Sequence, residues 1–204
     1  MDTRRSFKDA VARRRSYYSI TDKSPISDAE IEDIVKFAAT NIPSAFNSQS
    51  ARLVLLLGRE NKKFWDIVKD ALKDKLGEGE RFAQTEKKID GSFSCGYGTI
   101  LFFEDRSVIE NLQDNFPSYS DRFPDWSHHT SAMHQFALWT MLEDAGFGAS
   151  LQHYNPLIDE KVREEWKLPE SWKLVAEMPF GEPSGEPGVK EMNPLEERVK
   201  VFKS

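Results

Sequence analysis

Between Thr130 and Ala145 the sequence sets Met133, Phe136, Ala137, Leu138, Trp139, Met141 and Leu142 almost all the way round a helical wheel. A helix of that kind has no face to give to water. It must be buried on most sides, in a core or against a second subunit. Gly146 stops it. A chain of 204 residues is long enough to build such a core in one domain. No repeat or linker divides it, so residues 1–204 read as a single domain.

Charge and composition narrow the classes. Lys and Arg total 28 against 34 Asp and Glu, a net charge of −6, which argues against a phosphate-backbone partner and hence against nucleic acid. A hydrophobic fraction of 39% with 12% aromatics is too apolar for a disordered chain. Cys95 is the single cysteine, so no internal disulfide forms and a reducing, cytoplasmic setting is expected. With no basic neighbour in sequence to activate it, its thiol reads as buried or idle. The start, Met1 to Lys8, is charged and lacks the apolar stretch of a secretory signal. The longest apolar run, Leu53 to Leu57, is far short of the ~20 residues that cross a bilayer, so no membrane partner is expected. His128, His129, His134 and His153 lack ligand spacing, and no metal site is expected.

Ser6 caps a first helix that runs into Arg13-Arg14-Arg15. Ser27-Asp28-Ala29-Glu30 has capping-box form ahead of Ile31, Ile34, Val35 and Ala38, and that helix ends near Thr40. Ala51 to Gly58 suits a buried strand, Glu60 to Leu76 a half-buried helix and Arg81 to Ile89 a further short one. Thr99 to Phe103 predicts a second strand, Phe147 to Tyr154 a third, and Trp172 to Met178 the last. Asn155-Pro156 predicts a helix start with proline in its first turn. Residues 115–131, rich in aromatics and proline, read either as a long loop that closes over a site, with Phe116, Tyr119, Phe123 and Trp126 as its substrate-facing rings, or as an ordinary packed excursion anchored by Phe123 and Trp126. Residues 182–204 form a Pro/Gly/charge-rich tail whose apolar end, Val199, Val201 and Phe202, is expected to dock on something.

The usual catalytic signatures are missing. There is no phosphate-loop motif, Gly146-Phe147-Gly148 lacks the third glycine of a dinucleotide fingerprint, and Ser92-Phe93-Ser94-Cys95-Gly96 lacks the first glycine of a nucleophile elbow. Two segments do carry chemistry. Arg13-Arg14-Arg15-Ser16 offers forked guanidinium donors and a hydroxyl at a helix end, which fit a phosphate dianion, although a solvated cluster favoured by the helix dipole has the same composition. Pro43-Ser44-Ala45-Phe46-Asn47-Ser48-Gln49 is a turn of carboxamides and small residues, suited to the edge of a planar heteroaromatic.

Together these two segments resemble the nitroreductase-type flavoprotein family. Ala145-Gly146-Phe147-Gly148-Ala149-Ser150 is similar to that family's Gly-rich turn, and Met178-Pro179-Phe180-Gly181 with Lys190 to its closing strand. The ends of the chain look like those of the short fatty-acid-repression-mutant subgroup. The resemblance implies an α+β fold, a central mostly antiparallel or mixed sheet flanked by helices, in an intertwined homodimer with FMN at the interface. It implies that Arg14, Arg15, Ser16 and Lys190 hold the phosphate, with Arg13 and Arg198 as helpers. Ser44, Ala45, Asn47 and Gln49 would line the ring. Gly148, Ala149, Ser150 and Leu151 would bring main-chain groups to it, one N–H reaching the flavin N5. Tyr18 stands where many relatives carry a second cation.

The function implied is reduction of nitroaromatic or quinone-type acceptors by NADH or NADPH. The chemistry would reside on the flavin, with no protein acid or base. Two rivals remain: a flavin-binding regulatory or stress protein linked to lipid metabolism with little turnover, and a flavin-free interaction protein.

Overall fold

Every residue of the strand Gly98–Asp105 (β3) is buried, and the fold is arranged around it. In the computed structural model, which describes residues 6–203, β3 pairs with Ala51–Leu57 (β2) on one side and Trp172–Pro183 (β5) on the other. The far end of β5 pairs with two short strands, Ile20–Thr21 (β1) and Gly148–Ala149 (β4). The order is β1-β5-β3-β2, with β4 also on β5, and these pairings are all antiparallel. Met1–Arg5, most of the charged start, and Ser204 lie outside the described residues.

Side chains alternate across a strand, so β3 feeds two cores. Leu101 and Phe103 join Leu56, Phe64, Trp65, Val68, Ile89, Phe93 and Val162. These come largely from the helices Arg59–Leu76 (α3), Glu80–Ile89 (α4) and Asp159–Glu165 (α7), which cover that face. Ile100 and Phe102 join Ile31, Leu138, Leu142, Phe147 and Met178 on the other face, covered by Asp28–Asn41 (α2) and Phe123–Asp144 (α6). Both faces being dry explains why β2 and β3 read as continuous apolar runs although the sheet is antiparallel. A bulge opposite Phe102/Phe103 leaves Val175 extra in β5. It puts Leu174 and Ala176 on opposite faces despite their spacing of two.

The caps form as expected. Ser6 accepts from the Asp9 N–H ahead of Phe7–Arg13 (α1), and Ser27 and Glu30 close a reciprocal box at α2. Gly146 ends α6 at φ 94°, a conformation that side chains with a Cβ rarely adopt.

Four expectations are corrected. The helix α6 begins at Phe123, seven residues before Thr130, because Pro124 sits in its first turn, where its missing N–H costs nothing. Residues 115–131 are therefore a 3₁₀ turn, Pro117–Tyr119, followed by ordered helix, rather than a long loop. The strand expected over 147–154 is only β4, with an isolated bridge at Gln152. Asn155-Pro156 lies in a turn, and α7 starts at Asp159. Arg106–Asn115 (α5) was not anticipated, although Asp105 caps it through the Ser107 N–H and Val108, Ile109 and Leu112 keep helical spacing.

The wheel of α6 is also divided differently from its apolar count. Its buried side carries Ser127, Thr130, Ser131 and His134 as well as Leu138 and Leu142, whereas Met133 and Phe136 are 40% and 43% exposed. The buried polar groups find partners within the helix. Thr130 Oγ1 donates to Trp126 O at 3.1 Å, and His134 Nδ1 lies 2.9 Å from Thr130 O. No helix among the described residues is long and apolar enough to cross a membrane.

Candidate functional site

Past the end of α1 the chain turns extended and runs beside β4. The Tyr17 N–H donates to Ala149 O at 3.0 Å, and Ser16 and Ala149 form a parallel bridge. This approach requires Gly148, because a Cβ there would stand 2.8 Å from Tyr17 Cγ. The basic segment is thereby fixed over the end of the sheet, where residues 188–190 return to meet it. Arg14, Arg15, Ser16, Tyr18, Gly188, Val189 and Lys190 line one cavity of about 290 Å³. Arg15 donates to the Gly188 carbonyl.

Arg14 lies over the Trp139 ring at 4.3 Å, a cation–π contact that anchors it to α6. Burial, then the neighbouring Arg15 charge, lower the Arg14 guanidinium from its ordinary value, while Glu143 acts the other way. Crowded, partly desolvated cations are relieved by an anion. Arg13, on the last turn of α1, is exposed and does not line the cavity, and neither does Arg198, exposed on the short helix Leu195–Arg198 (α8).

The second segment forms a 3₁₀ turn, Ala45–Asn47, ahead of β2. Phe46, Asn47 and Gln49 have φ of 55°, 50° and 49°. Left-handed backbone at non-glycine residues costs on the order of 1–3 kcal/mol each and persists only where the surroundings impose it. Ser44 Oγ accepts from the Gln49 N–H at 2.9 Å and closes the turn. Ala45 and Ser44 are half-buried, and the carboxamides of Asn47 and Gln49 belong to the more open part of the turn.

Phe46 is the residue that sequence reasoning passed over. Its ring lies 5.0 Å from Phe116, 5.9 Å from Tyr119, 5.2 Å from Phe123 and 5.9 Å from Trp126, nearly parallel to the last. All four rings predicted for the closing segment therefore converge on the turn predicted to line the flavin. Phe123 is buried and serves as a floor, while Phe116 and Tyr119 are exposed. Beside the cluster, Ala45, Phe46, Trp126, His129, Thr130 and Met133 line a cavity of about 400 Å³.

In the Gly-rich segment, Gly148, Ala149 and Ser150 are buried and Leu151 half-buried. The Ser150 N–H donates to Pro179 O at 3.2 Å, so it is already engaged within the chain. Cys95 is half-buried with Sγ 3.4 Å from Ile20 O, and burial pushes its thiol up. Among the described residues no group of His, Cys, Asp and Glu could hold a metal ion.

Comparison with known proteins agrees with this architecture. The family model described as "Nitroreductase family" matches residues 11–182. The Saccharomyces cerevisiae protein HBN1 is 35% identical over 187 residues, 91% of this chain and 92% of its own. The nitroreductase CinD from Lactococcus lactis, solved with nicotinic acid, superposes with a TM-score of 0.90 at 41% identity, over 97% of this chain and 100% of that one. CinD has also been solved with 4-nitrophenol and with chloramphenicol. A Desulfovibrio desulfuricans protein solved with FMN shares the fold at 19% identity and TM-score 0.68, over 98% of this chain and 99% of that one. The chain belongs to the nitroreductase family.

Proposed function

We propose that the protein is an FMN-dependent oxidoreductase that takes hydride from NADH or NADPH and reduces planar nitroaromatic or quinone-type acceptors. The observation that carries this reading is the convergence of Arg14, Arg15, Ser16 and Lys190 on one cavity. Two guanidiniums, an ammonium and a hydroxyl provide the donor set for a phosphate dianion. The chemistry that FMN supplies when bound is two-electron storage, hydride in from the nicotinamide and hydride out to the acceptor.

The residues divide that work. Arg15, Ser16 and Lys190 would hold the phosphate, and Arg14, fixed on Trp139, adds charge from the side. Asn47 and Gln49 present carboxamides to the pyrimidine edge of the ring, and Ser44 and Ala45 shape the turn beneath them. Leu151 and the buried Gly148–Ala149 strand bring main chain toward the ring. The 400 Å³ cavity beside Phe46 and Trp126 takes the acceptor. Its aromatic walls suit a flat ring, and His129 and Thr130 give it a polar edge. The binding of nicotinic acid and 4-nitrophenol by CinD agrees with ligands of that shape.

A second copy of the chain completes the arrangement. The basic cavity abuts Trp139, and the turn abuts Trp126 to Met133. The interval from residue 126 to 139 is about 20 Å along a helix rising ~1.5 Å per residue. Phe7 and Phe37 are exposed at a groove of about 360 Å³ between α1, α2 and α6, and Met133 and Phe136 are exposed elsewhere on α6, apolar surface of the kind that a homodimer covers. The exposed tail residues Val199, Val201 and Phe202 would dock on that partner. FMN titration of the purified protein, followed by flavin fluorescence, tests the reading. Saturable one-to-one binding per chain is expected, and absence of binding overturns it.

A further inference from the structure

The strained turn that carries Asn47 and Gln49 is held from below by charged residues that none of the motifs contains. Arg52, on β2, donates through Nη1 to Gln49 O at 2.6 Å and to Ala51 O at 3.1 Å. Its Nη2 reaches Asp105 Oδ2 at 3.0 Å, and its guanidinium faces the Trp172 ring at 5.8 Å. Asp105 is fixed in turn: its Oδ1 accepts from the Ser107 N–H and hydroxyl at 3.1 and 2.7 Å, and its N–H donates to Ser50 O at 2.9 Å. Between the two, Ser50, fully buried, donates to Glu104 Oε2 at 2.6 Å. The last residues of the turn are thus tied by side chains and main chain to the end of β3.

We infer that Arg52, with Asp105 as its anchor, is a positioning residue that imposes the left-handed backbone of Gln49 and so aims the Asn47 and Gln49 carboxamides at the flavin ring. This rests on the reading of residues 44–49 as the ring-facing turn. A guanidinium can hold a carbonyl with one arm and a carboxylate with the other, whereas an ammonium cannot span both in a fixed plane. Glu104 has no such leverage on Gln49, since its carboxylate is bonded to Ser50 through Oε2 and its Oε1 has no hydrogen-bond partner among the described residues.

Three variants test the inference. Arg52→Lys keeps the charge and loses the fork. Asp105→Asn keeps an N-cap for α5 and removes the ion pair. The double variant closes the cycle. FMN affinity by fluorescence, the visible flavin spectrum and thermal melting are measured for each.

Each single variant is expected to weaken FMN binding roughly tenfold and to blur the fine structure of the bound flavin band. The double variant should be little worse than either, because both act through one bond network. Folding is controlled by the far-UV spectrum and by saturation: the Arg52→Lys variant, loaded at saturating FMN, should still show the altered flavin band. Unchanged affinity and flavin spectrum in both single variants, with wild-type protein binding FMN, overturn the positioning role and leave the flavin site standing. Failure of the wild type to bind FMN overturns both.

Discussion

At the scale of single residues, the site is built from donors whose surroundings decide their task. Arg14 and Arg15 are neighbours in sequence, yet Arg14 is stacked on Trp139 and Arg15 spans to Gly188 O. On the proposed reading, Arg15 with Ser16 and Lys190 is the more direct anion grip. The double variant Arg15→Ala/Ser16→Ala is expected to lose FMN affinity by more than ~10-fold, since bonds to a charged partner are worth about 1.5–3 kcal/mol each. Equilibrium dialysis against FMN checks it, and unchanged retention would remove these two residues from the site. The motif residues were legible in the sequence because their chemistry is carried by residue type. Phe46 and Arg52 were not, because their roles come from an aromatic cluster and a carbonyl contact that exist only once α6 and β3 are in place.

At the scale of elements, β5 and α6 each carry a testable consequence. Glu177 of β5 is fully buried; its Oε2 accepts from the Tyr154 N–H at 3.0 Å and its Oε1 has no hydrogen-bond partner among the described residues. Burial first, with the Asp159 charge adding to it, pushes its carboxyl up to about 8 from an ordinary 4.5. Between those values the folded chain keeps a proton that the unfolded chain has released, so unfolding gives off protons and stability falls as pH rises. Glu104, pushed up to about 7 mainly by burial, acts with the same sign up to that pH. Glu177→Gln is therefore expected to flatten the decline in melting temperature between about pH 7 and 8. A melt series in matched buffers reads this directly, and an unaltered slope would contradict the protonated state.

For α6, the exposed Met133 and Phe136 belong to the face assigned to the second copy. Phe136→Glu is expected to leave the helical content intact and shift the protein from dimer to monomer, as read by light scattering during gel filtration. A wild type that is monomeric at micromolar concentration would contradict the assignment. The capped helices and the two long strands were readable because caps and apolar period are local signals. The sequence places the start of α6 too late because Phe116, Pro117 and Pro124 suggest a loop by composition, while Pro124 occupies the one part of a helix that tolerates it.

At the scale of the whole molecule, one sheet with two dry faces separates a structural core around Trp65 and Phe64 from the face that bears α2 and α6. The candidate site borders the second face through α6 and β4. The α+β class and the antiparallel sheet were legible through the family resemblance, since the continuous apolar runs of β2 and β3 carry no information on strand direction. What no single-chain pattern conveys is how the basic cavity and the carboxamide turn, which lie along different stretches of α6, would come together; on the proposed reading they meet through a second copy of the chain. The most direct test is anaerobic mixing of the FMN-loaded protein with NADH and then NADPH while the flavin band is followed, with a nitroaromatic or quinone added afterwards. Rapid bleaching with at least one nucleotide, and recovery of the band only when acceptor is supplied, is the result predicted for a two-step reductase. A flavin band that stays oxidised with both nucleotides, despite stoichiometric FMN, would contradict turnover and leave a flavin-binding protein without this reductase activity.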